Sequence, residues 1–329
     1  MAETRDYELV IIGAGPAGMT AAMYGGRSVL KTVLLEALYE PGGELLKTEV
    51  IEDYPGFEHI LGRDLAEKFA SHAKKFGAEF RQGNVTAVRK VADGGFETVT
   101  DEGDVYRSPT VIVTAGGTPI KLGIPGEAEY AGRGVSYCAI CDGAFFRGQT
   151  IAVVGGGDAA VEEADFLTRY AEKVYLVHRR DELRASKILQ KRLFENPKIE
   201  VIWDTVVDEA VGTPEAGLTH LRIRNLRTDK AADLAATGLF VFIGFRPNTG
   251  IVEGHVEHDS MGYLLTDANM QTSIPGLFAA GDVRAQLTRQ VTTAVGDGTT
   301  AAIAAEKYLK SLADGTGTPE IVASGGYTA

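Results

Sequence analysis

Two short apolar runs along the chain each end in a glycine-rich turn that is followed by a helix-forming stretch. The first run, over residues 8–12, leads into the turn 13–18, and the second, over 150–154, leads into the turn 155–160. A buried strand, a tight glycine turn and a helix in this order are typical of the opening unit of a dinucleotide-binding fold. The pattern therefore predicts an α/β protein with two Rossmann-like dinucleotide-binding domains.

The glycines of the first turn occupy the positions that a bound pyrophosphate requires. Gly13 permits the tight turn, Gly15 lets the backbone approach the phosphates, and Gly18 allows the helix to pack closely on the strand. The second turn has the equivalent G-x-G-x-x-A form. The residues expected to bind a nucleotide are Gly13, Gly15, Pro16, Ala17 and Gly18 in the first turn and Gly155, Gly157, Asp158, Ala159 and Ala160 in the second.

The residue that ends the following strand differs between the two units. Glu36 lies 23 residues after Gly13, where a Rossmann unit holds a ribose hydroxyl pair with an acid. At the same offset from Gly155, the second unit has a basic group whose guanidiniums would hold a 2′-phosphate that an acid would repel. We therefore expect a nucleotide with a free ribose in the first unit and NADP(H) in the second, unless the basic residues form only a solvated face. The basic group consists of His178, Arg179, Arg180 and Arg184.

The remaining pattern predicts how the chain is divided. Alternating short segments over 79–105 indicate an antiparallel meander, and an Ala-rich stretch over 289–309 indicates a long closing helix. Clusters of Gly and Pro near residues 117 and 246 mark two boundaries. The predicted domains are 1–117 together with 247–312, an inserted domain at 118–246, and a mobile tail at 313–329.

Composition and charge narrow the classes of function. At 329 residues the chain is long enough for two domains with their own cores, and its formal net charge of −12 argues against nucleic acid or an anionic membrane as a partner. No stretch approaches the roughly 20 apolar residues of a membrane span, and the first residues lack the basic and apolar pattern of a secretory leader. We therefore expect a cytoplasmic protein.

The sequence contains only two cysteines, Cys138 and Cys141, and Asp142 follows directly. Thiols at positions i and i+3 of a helical turn face the same way, so a disulfide can form and open between them, and at a helix N-terminus the dipole favours the thiolate. A structural zinc site needs a second cysteine pair, which His178 alone cannot replace. In a reducing compartment such a pair is more often catalytic than structural, although simple packing of two small apolar side chains stays an alternative.

The cysteine stretch 136–142, the two glycine turns and the segment 278–282 together resemble the bacterial-type, low-molecular-weight thioredoxin reductases, over the chain to about residue 309. This resemblance implies a three-layer FAD domain with an inserted NADPH domain, a homodimer, and a rotation of one domain against the other. It implies that the first turn and its surroundings hold FAD and that the second turn and the basic group hold NADPH. Besides the first turn, the FAD set contains Glu36, Gly43, Glu44, Leu45, Asp53, Gly116, Gly281, Asp282, Arg289, Gln290 and Val291.

The same resemblance implies roles for the residues around the dithiol. Cys141 would face the flavin, Cys138 would attack the disulfide of thioredoxin, and Asp142 would act as the acid or base. The expected contacts with thioredoxin are Arg133 and Phe145. No metal site is expected.

The sequence departs from the family pattern at positions that bear on function. Glu44 and Asp53 stand where the family commonly has amides near the flavin. Ala159 replaces a usual hydroxyl residue, and Ala144 stands where a Phe often helps to grip thioredoxin. Another thioredoxin-fold partner, such as a glutaredoxin-like or peroxiredoxin-system protein, is therefore an alternative. A ferredoxin–NADP reductase would lack the dithiol, and a non-catalytic flavin-binding protein would need neither the dithiol nor Arg179.

Overall fold

The computed structural model describes residues 3–316 except 49, 93, 253 and 255. The chain forms two compact units, a first unit made of the residues up to Thr118 and those from Arg246 onward, and an inserted unit, Pro119–Phe245. Each division lies one residue from the predicted one. From residue 317 onward, the predicted tail lies outside the described residues. None of the helices in the described part of the chain has the length and apolar character needed to cross a bilayer.

The described residues form strands and helices with the following bounds. The strands are β1 Thr4–Asp6, β2 Leu9–Ile12, β3 Thr32–Glu36, β4 Val50–Ile51, β5 Ile60–Leu61, β6 Glu79–Gln82, β7 Val85–Lys90, β8 Phe96–Thr100, β9 Val105–Ser108, β10 Thr110–Val113, β11 Gly117–Pro119, β12 Val135–Ser136, β13 Thr150–Gly155, β14 Lys173–Val177, β15 Ile199–Ile202, β16 Thr205–Thr213, β17 Gly217–Asn225, β18 Ala231–Leu234, β19 Gly238–Phe242, β20 Phe245–Pro247 and β21 Leu277–Ala279. The α-helices are α1 Pro16–Arg27, α2 Gly62–Lys75, α3 Ala139–Asp142, α4 Asp158–Leu167, α5 Lys187–Glu195 and α6 Val291–Ala313.

A five-stranded parallel sheet forms the centre of the first unit, in the order β21-β10-β2-β3-β6. Because side chains alternate along a strand, β2 supplies Leu9 and Ile11 to one face and Val10 and Ile12 to the other. The first pair packs in a core with residues of α1, α2 and α6, and the second pair packs with residues of β7, β8 and β9. This arrangement of helices, parallel sheet and antiparallel sheet confirms the predicted α/β class and the three layers of the first domain.

Strand β6 corrects one prediction. The sequence pattern assigns residues 79–82 to the antiparallel meander, whereas the structure pairs β6 in parallel with β3. The chain reaches β6 through α2, and a helical crossover of this kind returns a strand parallel to the preceding one. The meander therefore begins at β7, and the short polar strand β1 extends it by pairing in parallel with β9.

The inserted unit repeats the same plan. Its five-stranded parallel sheet has the order β12-β19-β13-β14-β15. The side chains of β13 alternate between a core shared with α4 on one face and a core shared with the antiparallel strands β16 and β17 on the other. Helix α5 is not predicted by the apolar pattern, because Leu193 is the buried residue of that helix and the others lie nearer the surface.

A polar network in the first unit attaches β6 to the chain between β1 and β2. The hydroxyl of Tyr7 donates to Glu79 Oε2 at 2.6 Å, and Arg81 pairs with the same carboxylate at 2.5 Å. The ring of Tyr7 packs against that of Tyr106, with centroids 6.0 Å apart. The hydrogen bond from Tyr7, aided by Arg81, holds the pKa of the Glu79 carboxyl below its ordinary value in spite of partial burial.

We predict that Glu79→Gln makes the free energy of unfolding depend less on pH in the acidic range. In the wild type, the contribution of Glu79 is present above the ordinary carboxyl pKa of about 4.3 and is lost as the pH falls through the lower folded-state pKa. An amide cannot titrate, so the variant should be less stable at neutral pH, by about 1 kcal/mol, and should lose less stability on acidification. Thermal unfolding as a function of pH measures both effects, and an unchanged acid slope contradicts the role of the network.

Candidate functional site

The first glycine turn follows β2 and is packed at its ends but open at its centre. Gly13 has a φ of +101°, and a Cβ there would lie 2.6 Å from the carbonyl oxygen of Thr114. A Cβ on Gly18 would lie 1.9 Å from the carbonyl oxygen of Gly13. At Gly15, the N-cap before Pro16, nothing in the described residues beyond its chain neighbours lies within 4 Å of where a Cβ would stand. The open centre at a helix N-terminus is where a phosphate would approach the backbone.

Glu36 lies beside this turn at the carboxyl end of β3. Its Oε2 accepts the backbone N–H of Ala14 at 2.6 Å, and its Oε1 accepts the N–H of Leu38 at 2.9 Å. Each carboxylate oxygen keeps a lone pair beyond these bonds, because a carboxylate has about four acceptor positions. The carboxylate is therefore fixed in place and still able to accept hydrogen bonds from a ribose.

Other residues expected at the FAD gather around the same turn. A Cβ on Gly43 would lie 3.1 Å from the Cα of Gly15, and a Cβ on Gly281 would lie 2.9 Å from the Cβ of Ala17. Leu45 is buried in the same hydrophobic cluster as Ala17. The structure thus brings the short helical turn at Gly43–Lys47 and the segment Gly281–Val283 to the first glycine turn.

The remaining residues of the FAD set lie at the ends of other elements. Arg289 and Gln290 are exposed, and Gln290 is the N-cap of α6, which begins at Val291. Asp53 is exposed in the loop between β4 and β5, and Gly116 lies after β10 with a φ of +57°. Within the described residues, no hydrogen bond joins Asp53 or Gly116 to the first turn, so their place at a cofactor stays a prediction.

The second glycine turn has the same design. A Cβ on Gly155 would lie 2.4 Å from the carbonyl oxygen of Phe242 and 2.5 Å from the Cβ of Ala160, so this end is closely packed. Gly157 is the N-cap of α4. Apart from its chain neighbours, no described residue has an atom within 4 Å of where a Cβ on Gly157 would stand. Asp158 lies in the first turn of α4, where its negative charge complements the helix dipole.

Three arginines lie on the loop that follows β14. Arg179, Arg180 and Arg184 are exposed, and within the described residues their guanidinium groups form no hydrogen bond or ion pair. The backbone N–H of Arg184 donates to the carbonyl oxygen of Gly156 at 2.7 Å, which attaches this loop to the glycine turn. Guanidinium groups without a protein partner, held beside a nucleotide turn, are well suited to a phosphate.

His178 directly follows β14 and contacts backbone carbonyl groups. The residue is 6% exposed, and its two ring nitrogens lie 2.7 Å from the carbonyl oxygen of Gly155 and 2.9 Å from that of Glu182. A ring nitrogen that is bonded to a buried carbonyl is not available to a phosphate. The side chain of His178 therefore links the glycine turn to the arginine loop, and its contact with the nucleotide stays a prediction.

Cys138 and Cys141 form a disulfide, with their Cα atoms 5.3 Å apart. Cys138 is the N-cap of α3, and its sulfur accepts the backbone N–H of Cys141 at 3.2 Å. The buried hydroxyl of Ser136 accepts the N–H of Cys138 at 3.1 Å and so positions the start of this turn. Helix α3 is only four residues long, so the expected help from a helix dipole is small and the local N–H to sulfur bond replaces it.

The side chains around the disulfide differ in exposure. Cys141 is exposed and Cys138 is half-buried, so exposure does not single out Cys138 as the attacking sulfur. The carboxylate of Asp142 has no hydrogen-bond partner among the described side chains and backbone groups. Phe145 is 76% exposed, whereas the guanidinium of Arg133 donates to the carbonyl oxygens of Glu129 and Pro214.

Comparisons with known proteins agree with this geometry. The profile of the family described as pyridine nucleotide-disulphide oxidoreductase matches residues 7–298. The chain belongs to this family. It is 46% identical over 311 residues to a thioredoxin reductase of Listeria innocua. The aligned residues cover 94% of this chain and 96% of that relative.

Solved structures give the same result. The thioredoxin reductase of Lactococcus lactis matches with a TM-score of 0.90 and 46% identity, over 92% of this chain and 99% of that one. The thioredoxin reductase of T. acidophilum matches with a TM-score of 0.87 and 33% identity, over 94% of this chain and 99% of that one.

A hydrogen-bonded pair, Glu127 and Tyr137, lies next to the disulfide of this oxidoreductase. Glu127 is 3% exposed, and its carboxylate accepts the hydroxyl of Tyr137 at 2.8 Å and the backbone N–H groups of Leu122 and Gly123. Burial and the bond to Glu127 raise the pKa of Tyr137, which therefore remains a hydroxyl donor. Because Tyr137 directly precedes Cys138, the pair holds the segment that carries the disulfide. No motif signals it, since only the folded chain brings the two side chains together.

A second feature that the sequence does not show is a cluster of carboxylates near Gly281. Asp297 accepts the N–H of Gly281 at 3.1 Å and pairs with Arg284 at 3.2 Å. Asp282 has no such partner within the described residues, and burial raises its pKa to about 6. Arg289 opposes this rise, whereas the charges of Glu44 and Asp297 add to it.

We predict that Asp282→Asn stabilises the flavin-free protein at neutral pH. The unfolded carboxyl ionises from about pH 4, whereas the folded one ionises near pH 6, so wild-type stability falls between these values and stays lower above them. The variant avoids this loss, which amounts to roughly 3 kcal/mol. Thermal unfolding should therefore show a higher Tm for the variant at pH 7.5 and little difference at pH 4.

The matched control for this prediction is Asp297→Asn. That substitution weakens the ion pair with the largely buried Arg284 and should lower the Tm at both pH values. A wild-type protein that is as stable as Asp282→Asn at pH 7.5 contradicts the assignment of Asp282 as an unpartnered carboxyl.

Proposed function

We propose that this oxidoreductase is a thioredoxin reductase, which uses NADPH to reduce the disulfide of a thioredoxin. The observation that carries the proposal is the Cys138–Cys141 disulfide, which lies in the same compact unit as a glycine turn with three unpartnered arginines. A disulfide and a nucleotide site in one unit are what an NADPH-driven disulfide reductase requires. The similarity to proteins named thioredoxin reductase over most of the chain supports the same function.

The residues around the first turn fit FAD. The open backbone at Gly15 suits a pyrophosphate at the N-terminus of α1, and Glu36 suits a ribose hydroxyl pair. The unpartnered carboxyl of Asp282 suits a hydroxyl group of the cofactor. When bound, FAD supplies the chemistry that the side chains lack, because it accepts a hydride from NADPH and returns two electrons to a disulfide.

The second turn and its loop fit NADPH. Gly157 leaves room for the pyrophosphate, and Arg179, Arg180 and Arg184 offer guanidinium groups to the 2′-phosphate. His178 contributes by holding the loop rather than by touching the phosphate.

Cys138 and Cys141 carry out the exchange with thioredoxin. In the reduced enzyme, the thiolate of Cys138 attacks a sulfur of the thioredoxin disulfide, forms an S–S bond between the two proteins and releases one thioredoxin thiolate, which takes up a proton. The thiolate of Cys141 then attacks the sulfur of Cys138, releases the second thioredoxin thiolate and leaves the disulfide that the structure contains. Asp142, beside Cys141, is the group placed to supply or accept the protons.

The setting of the reaction is part of the proposal. The enzyme acts as a homodimer in the cytoplasm, without a nucleic-acid or membrane partner, in line with its net charge of −12. Arg133 and Phe145 are the proposed contacts with thioredoxin. The domain assignment is FAD for the first unit and NADPH with the dithiol for the inserted unit.

A second candidate substrate is another thioredoxin-fold protein. Phe145 is an exposed aromatic side chain close to the disulfide, and Ala144 beside it is also exposed but offers only a methyl group. A docking surface with less aromatic area selects its partner less strongly, so glutaredoxin-like and peroxiredoxin-system proteins belong in the substrate panel. The disulfide itself counts against a ferredoxin–NADP reductase.

The roles of the two cysteines predict opposite outcomes for two variants. Cys141→Ser keeps the attacking sulfur and removes the resolving one. Its Cys138 thiolate should therefore attack a single-cysteine thioredoxin whose sulfur carries thionitrobenzoate as a mixed disulfide, release thionitrobenzoate and accumulate as a covalent adduct. Cys138→Ser should form no adduct and should lose thioredoxin reduction, while NADPH still bleaches the bound flavin. Non-reducing gels and absorbance at the flavin band measure this pair. Adducts formed by Cys138→Ser rather than by Cys141→Ser reverse the assignment.

The arginine loop predicts the choice of nucleotide. Each charge-assisted bond contributes about 1.5–3 kcal/mol, less at exposed sites, so Arg179→Ala/Arg180→Ala should lower kcat/KM for NADPH on the order of 10²-fold. NADH has no 2′-phosphate and should respond little. Steady-state kinetics with both nucleotides, with Arg222→Ala as a control for an exposed arginine elsewhere in the unit, separate the effects. Equal losses for NADH and NADPH would mean that the arginines support the fold instead.

A further inference from the structure

We infer that Asp158 is a positioning residue for recognition of the 2′-phosphate, acting through the loop that carries the three arginines. This inference rests on the proposed function, because it concerns how the NADPH site distinguishes its nucleotide. Asp158, which the sequence places among the nucleotide-binding residues, here has a role in which it does not itself touch the 2′-phosphate. The carboxylate of Asp158 connects the second glycine turn to the arginine loop.

Three hydrogen bonds attach the end of the arginine loop to the glycine turn. The N–H groups of Arg184 and Ala185 both donate to the carbonyl oxygen of Gly156, at 2.7 and 3.2 Å. The N–H of Ser186 donates to Oδ1 of Asp158 at 2.6 Å. Two of the bonds join backbone to backbone, so the contact of Asp158 is the one that a side-chain substitution can remove.

The beginning of the same loop is attached by His178. Its ring bridges the carbonyl oxygens of Gly155 and Glu182, and a Cβ on Gly156 would lie 2.2 Å from the ring. The loop is therefore attached to the turn at both ends, and the arginines lie within it or at its attachment points. This arrangement fixes the distance between a pyrophosphate on the turn and a 2′-phosphate on the loop.

The charge of Asp158 supports a positioning role over direct binding. A carboxylate in the first turn of α4 repels the oxygens of a pyrophosphate at that helix end, so it would weaken binding if it only faced the ligand. The structure instead directs Oδ1 to Ser186. Without this bond, the loop would keep its two backbone bonds to Gly156 and lose its charge-assisted one, which is of the stronger kind.

The same helix supplies a matched control. Asp165 is also a half-buried aspartate of α4, and its Oδ1 accepts the side-chain N–H of Asn196 at 2.7 Å. Ser186 is the N-cap of α5 and Asn196 is its C-cap, so the two aspartates attach opposite ends of one helix to α4. Only Asp158 is connected to the end that carries the arginines. Removing either contact should affect stability, but only one should affect the 2′-phosphate.

The backbone donor can be removed independently. Ser186 has a φ of −58°, which proline adopts, and its side chain makes no capping hydrogen bond. Ser186→Pro therefore removes the N–H and keeps the carboxylate of Asp158, which has to turn away from the ring Cδ that replaces the hydrogen. Asp158→Asn, in contrast, removes the charge and keeps an acceptor oxygen.

The test measures nucleotide binding rather than turnover. The FAD-loaded enzyme is titrated by calorimetry with adenosine 2′,5′-bisphosphate, and adenosine 5′-monophosphate is measured by displacement of the bisphosphate. The Kd of the monophosphate divided by the Kd of the bisphosphate is a ratio that reports the contribution of the 2′-phosphate alone. Asp158→Ala and Ser186→Pro should each lower this ratio on the order of tenfold. The double variant should lower it no further, because both changes remove the same bond.

The controls decide between positioning and general damage. Asp158→Asn and Asp165→Ala should keep the wild-type ratio. A ratio that survives Asp158→Ala, or one that falls equally in Asp165→Ala, overturns the inference. If the wild-type enzyme does not prefer the bisphosphate, the arginine loop does not recognise the 2′-phosphate and the proposed NADPH site is wrong. That result differs from the outcomes that overturn only the positioning role of Asp158.

Discussion

The close approach of backbone to backbone at the glycine turns is the constraint on which the nucleotide sites depend. A Cβ on Gly18 would lie 1.9 Å from the carbonyl oxygen of Gly13, and a Cβ on Gly298 would lie 2.2 Å from that of Ala17. The first contact sets α1 on the sheet and the second sets α6 against α1. Because both helices are fixed by contacts that tolerate no side chain, the N-terminus of α1 is held where the open backbone at Gly15 faces free space.

The same regions contain groups that the fold leaves without partners. Asp297 and Arg284 are paired, whereas Asp282 in the same cluster is half-buried without a hydrogen bond from the described residues and has a raised pKa. The guanidinium groups of the three arginines after β14 likewise have no partner among the described residues, whereas Arg224, on a strand of the same unit, pairs with Asp208. A carboxyl that is removed from water without a partner lowers stability, whereas the exposed arginines remain hydrated. Groups of both kinds beside the two turns are what the proposed nucleotide sites require.

Local patterns predicted the glycine turns, the strands before them and the acid or base at the next strand end, because each depends on residues close in sequence. The structure departs where distant residues decide. The local pattern of β6 predicts a strand of the meander, but the crossover through α2 places it beside β3. His178 has the right offset for a phosphate contact, but only the folded chain shows that its ring nitrogens lie against two backbone carbonyl oxygens. The Glu127–Tyr137 pair has no sequence signal for the same reason.

The topology of the inserted unit explains why its two redox functions belong together. Ser136 at the end of β12 pairs with Phe240 of β19, and Phe240 pairs with Val153 of β13. Two residues further along each segment come Cys138 and Gly155, so the disulfide and the nucleotide turn follow the carboxyl ends of strands separated only by β19. Strands lie about 4.8 Å apart, which places these segments roughly 10 Å from each other along one edge. The separation of the disulfide and the nucleotide turn is therefore fixed by one sheet, because neither segment can shift without breaking the pairing of its strand with β19.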